Sequence, residues 1–240
     1  MKSIYRKAFL LVLVISTTAI VEGQETTEKT YLINNYAFSG PTTYRIEAGY
    51  ANSQRFPKNT SGTYGIQGVY LGVTTAFDLL YKIKLQAGLI YHVYQYDRTQ
   101  KYKNNVVAKY KTLPGHRLDI PIQAKYEFNM GGSFKLSLYA GPVLNIGISN
   151  KEDIFVAKGS LTDEEFERYN TLIGLPESGI YEQYGKDYRR FGLTLDGGAA
   201  IQWRNYIAKG GYRYQLTDLY KPKGKKLHEG GWYAGLAFEF

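Results

Sequence analysis

The stretch RLDIPIQAKYEF, Arg117 to Phe128, alternates without a break. Leu118, Ile120, Ile122, Ala124, Tyr126 and Phe128 fall on one parity; Arg117, Asp119, Pro121, Gln123, Lys125 and Glu127 fall on the other. A helix would scatter these charges around its surface, whereas a strand, with its period of two, separates them completely. The stretch therefore reads as a half-apolar β-strand.

Seven further segments follow the same rule. Tyr44, Ile46, Ala48 and Tyr50 oppose Arg45 and Glu47, and Val69, Leu71, Val73 and Phe77 oppose Gly68, Gly72 and Asp78. Ile83, Leu85, Leu89, Tyr91 and Val93 oppose Lys82, Lys84, Gln86 and His92. Phe134, Leu136, Leu138, Leu144 and Ile146 oppose Lys135, Tyr139, Gly141 and Asn145. Phe191, Leu193, Leu195, Ile201 and Trp203 oppose Thr194, Asp196 and Gln202. Tyr206, Ala208, Tyr212 and Tyr214 oppose Lys209 and Arg213; Trp232, Ala234, Leu236, Phe238 and Phe240 oppose Tyr233, Gly235 and Glu239. No charge lies on any apolar face. Segments of about ten residues with this pattern, separated by breakers, are the mark of a transmembrane β-barrel.

Alternation alone also fits a soluble barrel with its apolar side chains inside. Three features point the other way. Bulky residues sit on the apolar faces, while Gly49, Gly68, Gly72, Gly88, Gly141, Gly192, Gly198 and Gly235 sit on the charged faces, as a crowded small interior requires. Aromatics gather at the strand ends on the apolar face, as interfacial girdles do. One girdle would hold Tyr44, Phe77, Tyr126, Phe128, Phe134, Trp203, Tyr206, Phe238 and Phe240; the other would hold Tyr50, Tyr91, Phe191, Tyr214 and Trp232. Finally, long connections (about 52–63, 97–115, 148–189 and 218–230) alternate with short ones near 79–81, 129–133 and 204–205. Long loops face outward and short turns the periplasm in such barrels. The expected fold is thus all-β, an eight-stranded antiparallel up-and-down transmembrane barrel in the outer membrane.

Closure follows from hydrogen bonding, because open sheet edges in hydrocarbon would leave backbone groups unpaired. The lumen must then neutralise its own charges. Arg45, Lys84, Arg117, Lys125, Lys209 and Arg213 can pair there with Glu47, Asp119, Glu127, Asp196 and Glu239. Eight strands leave room for side chains only, so this polar core should plug the barrel rather than line a pore.

The N-terminus has the anatomy of an export signal. Lys2, Arg6 and Lys7 precede the apolar run Ala8 to Ile15, with Val21 and Gly23 placed for cleavage before Gln24. That run is too short to span a membrane as a helix. The expected division is a leader at 1–23, a periplasmic segment at 24–42 and the barrel at 43–240. Cleavage would lower the formal charge from +9 to +7. For an exported chain, this basic balance favours anionic lipid or polysaccharide over nucleic acid as partner. Cys is absent, which excludes disulfides, thiolate metal sites and a cysteine nucleophile; Tyr 24 and Gly 26 favour strands and crowded interiors.

Several of these segments resemble the PorT-like outer-membrane β-barrel domain family, whose architecture is related to small OmpA- and OmpX-type barrels. They are Gly88 to Tyr91, LDIPIQAKYEF at Leu118 to Phe128, LYAGPVLNIG at Leu138 to Gly147, FGLTLDGGAAIQW at Phe191 to Trp203, YRYQLTDL at Tyr212 to Leu219 and the aromatic terminus at Phe238 to Phe240. The resemblance implies an integral barrel folded by the barrel-assembly machinery, with Phe240 as its recognition signal. Gln215, where the family usually has Gly, Asp196 within a run of small residues, and a long loop after the fifth strand depart from the pattern. Such a family carries no shared catalytic residues.

The remaining candidates are weighed one by one. His92 and His116, near the outer mouth on neighbouring strands, could serve a barrel hydrolase or acyltransferase, but no nucleophile motif accompanies them. Plain lumen or loop histidines are the favoured reading, with His228 in the last loop. Thr162 and Glu165 form a capping box for a short helix within the long loop. Lys101, Lys103, Lys109 and Lys111, interleaved with Tyr102 and Tyr110, make one loop basic, as Lys221, Lys223, Lys225 and Lys226 do another. No metal, cofactor or nucleic acid is expected. The expected partners are outer-membrane lipids and lipopolysaccharide, the assembly machinery, and envelope or secretion proteins. The leading functional expectation is a non-enzymatic structural or surface-interaction barrel. A subunit of a secretion machine, a lipid-modifying enzyme and a narrow channel stand as alternatives.

Overall fold

The computed structural model describes residues 31–33, 36–38, 41–58, 63–80, 82–221 and 226–240. The expected leader at 1–23, residues 24–30, 34–35 and 39–40, and Lys223 and Lys225 lie outside them. A short ladder pairs β1 (Tyr31–Ile33) with β2 (Tyr36–Phe38) ahead of the barrel.

Eight strands then run in chain order around a closed antiparallel cylinder. They are β3 (Pro41–Lys58), β4 (Tyr64–Leu80), β5 (Ile83–Gln95), β8 (Gly115–Gly131), β9 (Phe134–Ser149), β12 (Phe191–Trp203), β13 (Tyr206–Gln215) and β14 (Lys226–Glu239). The last strand pairs with the first from Glu239↔Arg45 to Lys226↔Lys58, which closes the up-and-down barrel and leaves no sheet edge. At one end a two-residue connection joins β4 to β5, and tight turns join β8 to β9 and β12 to β13. Positive φ values at Gly131, Gly132 and Arg204 make the latter two possible.

The strands are longer than the ten residues that the alternation marks. β3 has 18 residues and β4 has 17, whereas crossing hydrocarbon needs about 9–11. The surplus extends at the end carrying the long connections. Residues 52–58 and 226–230, expected as loop, are therefore paired strand. The parity of the first strand persists through them: Arg45, Glu47, Ser53 and Arg55 are all buried on the same side.

Above this end the long connections build a second sheet of four strands, 179–182, 151–157, 107–112 and 97–101 in spatial order, here called the crown. β6 (Asp97–Lys101) and β7 (Val107–Thr112) come from one connection; β10 (Lys151–Ala157) and β11 (Gly179–Glu182) come from another. Between the latter two lies helix α1 (Asp163–Ile173). Thr162 Oγ1 accepts from the Glu165 amide while Glu165 Oε2 accepts from the Thr162 amide, the reciprocal box expected from sequence. Gly174 ends the helix in the left-handed region at φ 64°, where its lack of Cβ removes the strain.

Burial settles the orientation of the barrel strands. The bulky apolar residues face out: Leu71 is 59% exposed, Ile201 58% and Leu236 70%. Asp119, Gln123 and Lys125 on the opposite parity of β8 are buried. So large an apolar belt is costly in water and stable in hydrocarbon. Around the short-turn rim, rings touch in sequence. Phe134 and Trp203 lie 6.4 Å apart, Trp203 and Tyr206 6.4 Å, Tyr206 and Phe238 5.4 Å, and Phe238 and Phe240 5.9 Å. Toward the other rim Tyr50 packs against Trp232 at 5.8 Å. Trp232 and Phe238 are six residues apart, about 20 Å along the strand between the two aromatic rims.

Candidate functional site: the lumen and the crown above it

The lumen is a solid polar core. Near the short-turn end Arg45 Nε donates to Glu239 Oε2 at 2.7 Å, and its Nη1 donates to Gln86 at 3.0 Å. Glu127 receives Lys125 at 2.5 Å and Lys84 at 3.2 Å. One level up, Lys209 Nζ reaches both Glu47 oxygens, at 2.9 and 3.1 Å. The cavity left among these groups is only about 10 Å³, close to the minimum for one water molecule.

The middle of the lumen is organised by Asp119, which is fully buried. Its carboxylate accepts from Arg213 Nη1 at 3.0 Å and from Asn145 Nδ2 at 2.8 Å, and lies 2.9 Å from His92 Nε2. Arg117 Nε approaches to 3.0 Å, and its Nη1 reaches Glu229 at 3.2 Å. Arg213 also faces Asp196 at 3.5 Å, and Asp196 accepts from the Tyr233 hydroxyl at 2.8 Å. All eleven lumen residues singled out in the sequence thus lie in ion pairs, in three sets: Arg45, Lys84, Lys125, Glu127 and Glu239; Lys209 with Glu47; and Arg117, Asp119, Asp196 and Arg213. The glycine-rich faces make room for inward tyrosines. A Cβ at Gly235 would fall 2.2 Å from Tyr70 Oη, and one at Gly198 would fall 2.5 Å from Tyr139 Oη.

Sequence reasoning missed the top of this network. Arg55 donates to Glu229 at 3.1 Å and sits against the rings of Tyr96 and Tyr188, 4.8 and 5.1 Å from their centroids. Tyr64 and Tyr188 share a hydrogen bond at 3.1 Å, as Tyr94 and Tyr184 do at 3.0 Å. These tyrosines and Arg55 close the mouth beneath the crown. The signal that could have found Arg55 and Glu229 is the unbroken odd parity of β3 and β14 beyond the apolar belt.

The histidines do not come together. His92 is buried in the lumen; His116 lies outside, stacked on Tyr91 with a 2.7 Å bond from Nδ1 to the phenol. Their register explains it: His92 pairs with Arg117 and His116 with Val93, and a one-residue offset reverses the face. His228 lies flat on Tyr214 at 6.1 Å and bonds the Gln215 carbonyl. Among the described residues no cluster could hold a metal ion.

In the crown, β7 separates its two residue types. Lys109 and Lys111 are exposed on the outer face, where Lys111 stands opposite Asp97 and Asp153. Tyr110 is buried on the inner face with Ala108 and Ile154, and Tyr102 packs against them. Arg98 stacks on Tyr110 at 3.9 Å and pairs with fully buried Glu152 at 3.3 Å. Burial works against the Arg98 guanidinium, but the Glu152 carboxylate outweighs it and holds the group above the usual arginine range. Burial likewise pushes the Tyr110 phenol up to about 12. Glu152 also accepts from the Tyr96 hydroxyl at 2.5 Å. A half-open cavity of about 340 Å³ lies beside this pair, between the inner face of the sheet and the 176–187 segment.

A family model described as outer membrane protein beta-barrel domain matches residues 38–221. No curated protein matches the chain. Among solved structures, the chain is similar to Ail, the attachment invasion locus protein of Yersinia pestis, in complex with the heparin analogue sucrose octasulfate. The TM-score is 0.41 at 13% identity, covering 82% of this chain and 98% of that one. Neisserial surface protein A gives 0.41 at 14%, with 82% and 97% covered. OprG of Pseudomonas aeruginosa gives 0.37 at 12%, with 82% and 95% covered. The match over 38–221 and the closed eight-stranded cylinder agree: the chain belongs to the outer-membrane β-barrel domain family and resides in the cell outer membrane.

Proposed function

We propose that this barrel is a non-enzymatic anchor whose crown binds partners at the cell surface. The carrying observation is the crown itself. Two of its long connections are spent on an ordered four-stranded sheet with a capped helix, seated over a lumen filled with paired charges. Irregular loops would suffice for a barrel that only stiffens the envelope. The filled lumen argues against a channel, and the divergence of His92 from His116 argues against hydrolysis at the mouth.

On this reading residues 1–23 are the cleaved leader, 24–42 the periplasmic segment, and 43–240 the membrane body. The long connections then face outward. Phe240, exposed beside Phe238, then serves as the signal that the assembly machinery reads. Lipid and lipopolysaccharide contact the apolar belt.

The test replaces 97–112 and 151–182 with tight turns and keeps the eight barrel strands. The crownless barrel should still show heat-modifiable gel migration and outer-membrane fractionation, while cells carrying it lose surface attachment. Unchanged attachment, or discrete conductance of the intact protein in planar bilayers, would remove the proposal.

A further inference from the structure

Resting on that reading of the crown, we infer that the cavity beneath its inner face is a binding site for a saccharide unit without acidic groups. At about 340 Å³ it falls at the small end of the range for small-molecule pockets. Its floor is fixed before any ligand arrives. Glu152 is held by Arg98 and by the Tyr96 hydroxyl, and Arg98 lies flat on Tyr110. A preformed wall of this kind lowers the ordering cost of binding.

The lining selects the chemistry. Only Ile154 and Pro176 are plainly apolar, so a hydrocarbon ligand would gain little. Two cations, Arg98 and Lys186, face three carboxylates, Glu152, Glu177 and Asp187. That balance of −1 disfavours phosphate, sulfate or uronate, even on a basic protein. What remains is a display of planar hydrogen-bonding groups (carboxylate, amide and guanidinium) beside a tyrosine ring. Glu177, Lys186 and Asp187 form no ion pair among the described residues, and Arg98 Nε is buried without a partner. Such groups can each serve adjacent hydroxyls of a sugar, whose C–H face packs on Tyr181. An amino group on the sugar would meet the excess carboxylate.

The full-length barrel in nanodiscs tests this by saturation-transfer NMR with maltotriose, chitotriose and glucosamine, and with dextran sulfate as the acidic arm. At least one of the three non-acidic sugars should bind saturably. Tyr181→Ala, which removes the packing face, and Asp187→Asn, which removes the charge behind a hydrogen bond, should each weaken it about tenfold. Unboiled gel migration should stay as in the parent, and Asp187→Asn, nearly isosteric, guards against a folding effect. Silence of all three sugars, binding that both variants leave intact, or binding of dextran sulfate alone overturns the pocket. Attachment measured in the same strains separates the two readings. Pocket variants that attach normally sink the pocket alone, whereas a crownless barrel that attaches normally sinks both.

Discussion

Asp119→Ala offers the sharpest test of the lumen. The side chain is fully buried and meets Arg213 at 3.0 Å, His92 at 2.9 Å, Asn145 at 2.8 Å and Arg117 at 3.0 Å. Its loss takes one carboxylate from each of two buried guanidinium groups. Breaking a buried ion pair by removing one partner costs about 3–5 kcal/mol. Here Arg117 retains Glu229 at 3.2 Å and Arg213 retains Asp196 at 3.5 Å, so the lower end, about 3 kcal/mol, applies. With an unfolding slope of about 2 kcal/mol/M, the urea midpoint should fall by about 1.5 M. The assay is equilibrium unfolding in lipid vesicles, followed by the fluorescence of Trp203 and Trp232, the two tryptophans of the chain, both facing outward. A second variant carries Asp119→Ala with Arg213→Met. Because the two residues share one network, the double variant should be more stable than the summed singles by roughly 0.5–3 kcal/mol. A single-variant midpoint within about 0.3 M of the parent, against a slope of this size, would refute the argument that this carboxylate holds the lumen charges in place.

Three further expectations concern other parts of the molecule. Leu236→Arg, in the apolar belt between Ala48 and Ala208, should cost about 2–4 kcal/mol in the same titration, with no loss if the face were wet. Gly141→Ala should cost about 1–3 kcal/mol, because its Cβ would fall 2.2 Å from the Ile122 carbonyl oxygen and 2.7 Å from Gln123 Cα, backbone atoms that cannot turn aside. In α1, hydrogen bonds from the Thr162 amide and hydroxyl hold the Glu165 carboxyl below its usual range. A depressed folded-state pKa gives stability that is present above the unfolded value of about 4.3 and is lost as pH falls further. Amide protection in α1, taken relative to the intrinsic exchange rate, should therefore fall only below that pH, and Glu165→Ala should abolish the dependence.

Much of the barrel was legible along the chain. The alternation at Arg117–Phe128 and its seven counterparts fixed which side chains share a face, because neighbouring strand residues must point oppositely. Glycines on the charged parity and aromatics at strand ends told inside from outside. Thr162 and Glu165 announced a helix start because a capping box is local, closed within four residues. The strand ends were less visible. Alternation in apolar character fades where hydrocarbon gives way to water, so 52–58 and 226–230 looked like loop although their backbone pairing continues. Arg55 and Glu229 were lost with them.

Sequence alone thus determined the strands, their facing and the pool of charges that must neutralise one another, since each rests on local periodicity and on the cost of unpaired groups in hydrocarbon. Only the tertiary structure decided the partners: Asp119 with Arg213, ninety-four positions away, and Arg55 with Glu229, one hundred and seventy-four away. It alone set His92 and His116 on opposite faces and folded separate connections into one crown. Pairing across a closed cylinder depends on register and closure, and no local pattern encodes the distance between residues remote in the chain.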